Sequence, residues 1–219
     1  MLRRLRRLFG SDRVPVLDSL EAYAHWAASY PPHAHNALMQ AEEAAMRSLL
    51  PDLRDQRVLD LACGTGRYGL LARENGAAQV LGLDNSPDML ASSALRSVAL
   101  ATAEALPLPT QSMDVVLCGL ALGHLPDIGP ALREIGRILT PGGWALLSDL
   151  HPQIALNGGQ RTFVTGDGRT YAVEHYPHLV ADYQRAAHVA GLQVVHVLER
   201  PVEGAPSRVP AVLVIALRR

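Results

Sequence analysis

Lysine is missing from this chain, and all 20 basic residues are arginine. That usage points to a high-G+C bacterial genome and carries no functional message of its own. Aromatics are scarce at 5%, so Leu, Val and Ala must fill most of the core. The two cysteines, Cys63 in a glycine-rich segment and Cys118 at the end of an apolar run, form no disulfide framework. Such usage fits a reducing, cytoplasmic setting. No apolar run reaches the roughly 20 residues of a transmembrane helix. The opening Met1–Phe9 alternates Arg with Leu and lacks the uninterrupted apolar core of a signal peptide. A net charge of −1 gives no global attraction for polyanions, so nucleic acid is a disfavoured partner.

What is present is ordinary globular material, 48% apolar and 19% charged over 219 residues, enough for one decorated α/β domain. Residues 1–17 read as a basic N-terminal arm, either a frayed terminus or a short amphipathic helix at a membrane surface. Residues 18–50 read as two helices broken at Pro31-Pro32, the second with Leu38, Ala41, Ala45 and Leu49 at helical spacing. An alternation follows, with strands predicted over 57–62, 79–84, 98–102, 114–119 and 144–150. The intervening helices fall over 66–75, 86–96 and 129–139, with Ser86 as an N-cap. A helix over 178–190 stops at Gly191, and strands over 193–199 and 211–217 then leave no room for a helix between them. The expectation is an α/β fold: a doubly wound seven-stranded sheet, mostly parallel, closed by a C-terminal antiparallel hairpin. Residues 151–177, with turn signals at Asn157-Gly158-Gly159 and Asp167-Gly168, read as a flap over the open end of that sheet.

Gly64-Thr-Gly66-Arg-Tyr-Gly69 spells G-x-G-x-x-G, with Asp84 about 20 residues beyond. Small residues let a ligand approach the backbone, a helix N-terminus follows, and a carboxylate after the second strand can accept from ribose hydroxyls. A dinucleotide-dependent oxidoreductase would use the same physics. Two features separate the readings. Asp60 lies inside the apolar strand just before the turn, where a carboxylate suits a cationic ligand and does nothing for a pyrophosphate. The closing antiparallel hairpin is the second, because dinucleotide folds keep a parallel last strand. The absence of G-K-[ST] excludes a nucleoside-triphosphate loop.

The segment Val58-Leu-Asp-Leu-Ala-Cys-Gly-Thr-Gly66 resembles the first motif of the class I S-adenosylmethionine-dependent methyltransferases. Within them it is similar to the type 11 group, which holds the ubiquinone/menaquinone-biosynthesis and malonyl-carrier-protein methyltransferases. Gly82-Leu-Asp-Asn-Ser-Pro-Asp-Met-Leu90, Ala103-Glu-Ala-Leu-Pro107, Met113-Asp-Val-Val-Leu117, Gly123-His-Leu-Pro-Asp127 and Arg137-Ile-Leu-Thr-Pro-Gly-Gly143 follow in the family's order. The resemblance implies a Rossmann-like domain over 18–219, with a helical lid (18–50) and a flap insertion (151–177). It implies S-adenosyl-L-methionine as cofactor, S-adenosyl-L-homocysteine as product, and methyl transfer to oxygen or carbon of a small molecule. A non-catalytic binding protein for the same cofactor is the alternative from another class.

Carried over residue by residue, the resemblance assigns cofactor contacts to Asp60, Ala62, Cys63, Gly64, Thr65 and Gly66 in the first motif. It assigns the ribose to Asp84, with Asn85 and Met89 beside it, and the adenine to Thr102, Ala103 and Glu104. Gly119 and Leu120 end the fourth strand against the cofactor. Ala62 replaces a commoner glycine. Thr102 replaces an aspartate that accepts from the adenine amino group, so adenine recognition is expected to lean on the backbone near Ala103. Tyr23, Trp26 and Tyr30 resemble the segment that folds over the cofactor, although their spacing also suits core packing on one helical face. His35-Asn36 is placed near the same mouth.

A sulfonium is already an activated electrophile, so the protein mainly positions the acceptor and excludes water. His124 and His151, each following a strand at its carboxyl end, are the candidates for general base or acceptor orienter. A structural histidine is the plain alternative for His124. Arg161 could hold an anionic substrate, or be a solvated surface arginine. His175, His178 and Tyr183, near Glu174, are candidate substrate residues. They lack a compact ligand motif, so no metal is assigned.

Overall fold

The computed structural model describes residues 14–166, 168–203 and 209–219. Most of the Arg-rich arm and the turn at Asp167 lie outside them. The chain opens with β1 (Val16–Leu17) and α1 (Ser19–Trp26), capped by the Asp18 carboxylate on the Glu21 amide at 2.9 Å. After a short 3-10 turn, α2 (Ala37–Ser48) starts at Asn36, whose side chain accepts from the Met39 amide. The alternation then runs β2 (Arg57–Leu61), α3 (Arg67–Glu74), β3 (Gln79–Asp84), α4 (Pro87–Ala91), β4 (Val98–Leu100), β5 (Met113–Gly119), α5 (Gly129–Ile138) and β6 (Leu139–Leu150). Next come α6 (Pro152–Leu156), β7 (Thr162–Val164), β8 (Thr170–Val173), α7 (Val180–Val189), β9 (Gln193–Arg200) and β10 (Val212–Arg218).

The main sheet has seven strands in the order β4-β3-β2-β5-β6-β10-β9. Only β10 is antiparallel to its neighbours β6 and β9, as the lack of a helix before it requires. Both faces are covered, so the strands read as apolar runs, and their side chains alternate between two cores. Val115 and Leu117 of β5 pack under α2 and α3, while Val116 and Cys118 face α5 and α7. In β10, Val212, Val214 and Ala216 take the first face; Leu213, Ile215 and Leu217 take the second.

Two local expectations need correction. The predicted helix over 86–96 is cut to Pro87–Ala91, although Ser86 does cap it through the Met89 amide at 3.3 Å. The Ser93 hydroxyl accepts from the Leu95 amide and competes with the helix. Leu95 is thereby released to pack beneath Gly66 and Gly69. The flap is also more than a hairpin. Strands β7 and β8 pair antiparallel, and β1 adds to β8 in parallel, so a three-stranded sheet ties residues 162–173 to the N-terminal segment. Ala22, Phe163 and Val173 form its core, with the Trp26 ring stacked 5.1 Å from Phe163.

Candidate functional site

The carboxyl ends of β2, β3 and β5 open into one cleft of about 1000 Å³, counting the part open to solvent. It lies where ligands bind in sheets of this topology. Its floor is the turn between β2 and α3. Gly66 stands there at φ +100°, and a side chain on it would meet Leu95 at 2.7 Å, so glycine is required. Ala62 adopts φ 54° without that freedom and holds modest strain.

No side chain of the turn caps α3. Asp60, two percent exposed on β2, does so from outside and accepts from the Gly69 amide at 2.7 Å. Burial pushes its carboxyl up to about 7, against the pull of that amide and of Arg67. Asp60 therefore anchors the helix as well as lining the cleft, a task its position in an apolar strand did not announce.

Asp84 ends β3 and accepts from the Gly64 amide at 2.7 Å and from the Ser86 amide at 2.8 Å, one on each oxygen. Each oxygen keeps acceptor capacity for a hydroxyl. Burial raises this carboxyl, with the two amides opposing. Beside it the Thr65 hydroxyl is buried and has no partner among the described residues. Thr65 lines the cleft, and its hydroxyl calls for a partner that the described residues do not supply. The small residues, the open acceptors of Asp84 and this hydroxyl fit a nucleoside-bearing cofactor.

Of the expected cofactor residues, Tyr23, Tyr30, Asp60, Ala62, Cys63, Gly64 and Thr65 line the cleft. So do Asp84, Asn85, Met89, Ala103, Glu104, Gly119 and Leu120. Gly66 does not, because it lies behind the turn against Leu95. Thr102 does not either. It is exposed and pairs with Ala105 across a tight turn, leaving Ala103 and Glu104 at the cleft.

At the opposite end, His124 follows β5 on a short 3-10 turn and points its ring into the cleft. Its Nδ1 lies 2.8 Å from the Glu174 carbonyl oxygen, which can only accept, so Nδ1 carries the proton. Nε2 is then the acceptor, for the Tyr23 hydroxyl at 3.2 Å and Arg161 Nη1 at 3.3 Å. Burial, and next the Arg161 guanidinium, pull this imidazole down to about 4. It is a poor proton acceptor and a good fixed anchor. Arg161 also donates to the Leu120 carbonyl at 3.0 Å and lies 5.7 Å from the Tyr23 ring centre. It makes no salt bridge among the described residues.

The other candidates stand outside the cleft. His151 caps α6 through the Gln153 amide and faces Glu199 Oε1 at 2.9 Å, so both its ring nitrogens are engaged away from the site. His175 and Tyr183 both bond Asp149, at 3.2 and 2.7 Å, and His178 donates to the Leu125 carbonyl at 2.8 Å. These residues support the His124 turn from behind. A side chain at Gly123 would collide with His175 Nε2 at 2.3 Å, so the turn can approach this support only as glycine. The Tyr176 amide donates to the Gly123 carbonyl at 2.7 Å, clamping the turn to the flap. Among the described residues no cluster of His, Cys, Asp or Glu is arranged to hold a metal. His35 contacts the Trp26 and Tyr30 rings rather than the cleft.

Glu42 went unread in the sequence. It is fully buried on α2 and accepts from Arg67 Nη1 at 2.6 Å, from the Tyr68 hydroxyl at 2.6 Å and from the Ser148 hydroxyl. Ser148 Oγ in turn accepts from the Leu120 amide at 3.1 Å. The signal was available: Glu42 lies four residues from Leu38 on the apolar stripe of its own helix. A carboxylate there needs buried partners.

Residues 59–147 match the family model described as a methyltransferase domain. The chain is 33% identical over 135 residues to the malonyl-[acyl-carrier protein] O-methyltransferase of Enterobacter lignolyticus, covering 59% of this chain and 53% of that protein. It is 35% identical over 106 residues to the demethylmenaquinone methyltransferase of Thermus thermophilus, covering 44% of this chain and 48% of that one. The chain thus spans about half the length of these curated relatives. The crystal structure of an S-adenosylmethionine-dependent methyltransferase from Mesorhizobium loti superposes with a TM-score of 0.70 at 26% identity, over 82% of this chain and 98% of that one. The ordered motifs, the seven-stranded sheet and these likenesses agree: residues 59–147 match a methyltransferase domain, and the chain is similar to the class I S-adenosylmethionine-dependent methyltransferases, a family whose cofactor is S-adenosyl-L-methionine.

Proposed function

We propose that this protein transfers a methyl group from S-adenosyl-L-methionine to an oxygen or carbon of a small molecule. The observation that carries the reading is the meeting of two ends in one cleft. The Gly64 turn, Asp84 and the orphaned Thr65 hydroxyl stand at one end; His124, Tyr23 and Arg161 stand at the other. The bound cofactor supplies an electrophilic methyl on a cationic sulfur. Asp84 accepts from the ribose hydroxyls while the Gly64 amide fixes its carboxylate. Ala103 and Glu104 flank the adenine, which the family usually meets with an aspartate at the place of the outward Thr102. Tyr23 and Tyr30 close the lid side and exclude water. His124, held neutral, fixes Tyr23 and Arg161 through Nε2, and these groups orient the acceptor. The relatives' named activities, a malonyl-[acyl-carrier protein] O-methyltransferase and a demethylmenaquinone methyltransferase, support methyl transfer as the reaction class.

The test is incubation of purified protein and methyl-labelled donor with the small-molecule fraction of a cell extract. Label appearing in a new small product is the expected result. Donor bound tightly with no label transferred to any fraction would favour a binding protein without turnover. Binding of reduced nicotinamide dinucleotide in place of the donor would favour an oxidoreductase.

A further inference from the structure

Arg161 is the one cleft-lining cation among the described residues that no carboxylate neutralises. The other, Arg67, is consumed by Glu42 at 2.6 Å and Glu43 at 3.7 Å. The contacts of Arg161 are with neutral acceptors, the Leu120 carbonyl and His124 Nε2, and both run through Nη1. The Nη2 and Nε donors of its fork have no acceptor among the described residues. Asp149, a buried carboxylate behind the turn, is occupied by His175, Tyr183 and the Leu150 amide. A half-buried guanidinium that faces the cleft with free donors and no paired carboxylate among the described residues favours an anionic ligand. The preference is greater where a cationic methyl donor shares the cleft.

The same end lacks a competent base. The His124 imidazole is pulled down to about 4, first by burial and then by Arg161. Burial raises the Tyr23 hydroxyl well above its usual range, so it stays protonated and donates to His124. An alcohol or a carbon acid would need its proton removed here; a carboxylate would not.

We propose that the methyl acceptor is a small carboxylate, received in the open fork of Arg161 and methylated on oxygen. This rests on the methyl-transfer reading above. One carboxylate oxygen forms the new bond to the methyl carbon while the sulfur–methyl bond breaks. Its electron pair goes to sulfur, leaving a neutral thioether and a neutral methyl ester with no proton to place. The planar, bidentate fork suits a carboxylate, and a single arginine matches its single charge.

The experiment uses straight-chain carboxylates of three to ten carbons, the corresponding amides and alcohols, and alkyl phosphates. Each is titrated into the complex with S-adenosylhomocysteine and then assayed with methyl-labelled donor. Carboxylates should bind in preference to their amides, and the labelled product should release methanol in mild alkali. Arg161→Met should weaken carboxylate binding about 30-fold, Arg161→Lys should lose less, and both should keep S-adenosylhomocysteine affinity within about threefold. The proposal falls if no carboxylate is preferred over its amide, or if alkyl phosphates bind better. It also falls if Arg161→Met leaves binding unchanged, or if the transferred methyl is alkali-stable. If neither the donor nor its demethylated product binds the wild-type protein, the methyl-transfer reading fails first.

Discussion

At the proposed cofactor end of the cleft, Asp84 reaches the Gly64 amide across 20 residues of chain, within a single strand-helix-strand unit. At the proposed acceptor end, His124 meets Arg161 across 37 residues and Tyr23 across 101. The first end is set by local rules: small residues in a turn, a helix start, a carboxylate at a strand end. The second is assembled by the sheet that joins residues 162–173 to the N-terminal segment. A local unit can keep its motif while the long-range end varies, so donor and acceptor chemistry can change separately on one fold.

Glu42 is where the comparison breaks most easily, because its contacts join the lid helix to α3 and to the end of β6. Glu42→Ala leaves Arg67 buried without its main partner and should cost about 3–5 kcal/mol of unfolding free energy in a denaturant titration. An effect under about 1 kcal/mol, the range of a surface pair, would show that the lid does not depend on this link. Asp84→Ala acts on the cofactor end alone. It removes the proposed ribose contacts and should weaken S-adenosylhomocysteine binding about 100-fold by calorimetry, with carboxylate preference unchanged where the donor saturates.

The acceptor end carries a pH signature. His124 has a depressed folded pKa of about 4 against an ordinary 6.5. Its contribution to stability is complete above about 6.5 and is lost as pH falls toward 4, because the unfolded chain takes up the proton first. Asp60 works in the opposite direction, since its raised carboxyl favours the folded state below 7. Comparing wild type with His124→Asn isolates the histidine. The difference should have a slope of up to about 1.4 kcal/mol per pH unit in that window, and parallel curves would contradict the buried neutral ring. The smallest effect belongs to Ala62. Replacing it by glycine relieves a left-handed backbone and should change stability by about 1 kcal/mol in the favourable direction, read as a rise in melting temperature.

The fold was largely legible because each strand of the main sheet is a short apolar run set between helix signals. The final pair had no chain left for a crossover. The geometry of the Gly64–Asp84 turn was legible for the same reason, since Gly64, Asp84 and Ser86 act within a few residues of their own elements. Leu95 escaped because serines at 92 and 93 broke a helix that periodicity extended through them. β1 escaped because two residues, Val16 and Leu17, carry no pattern until β8 pairs with them. His151 looked equivalent to His124 by position after a strand, yet it caps α6 and faces Glu199 instead. Position along the chain gives the strand end; which way the next residue turns depends on what it caps.

The central claim is that the Gly64–Asp84 end binds a methyl donor. Calorimetric titration of wild-type protein with S-adenosyl-L-homocysteine tests it most directly, with reduced nicotinamide dinucleotide as the control. The account predicts one site per chain for the thioether, weakened about 100-fold in Asp84→Ala, and no heat from the dinucleotide. Saturable dinucleotide binding, or thioether affinity indifferent to Asp84, would contradict it.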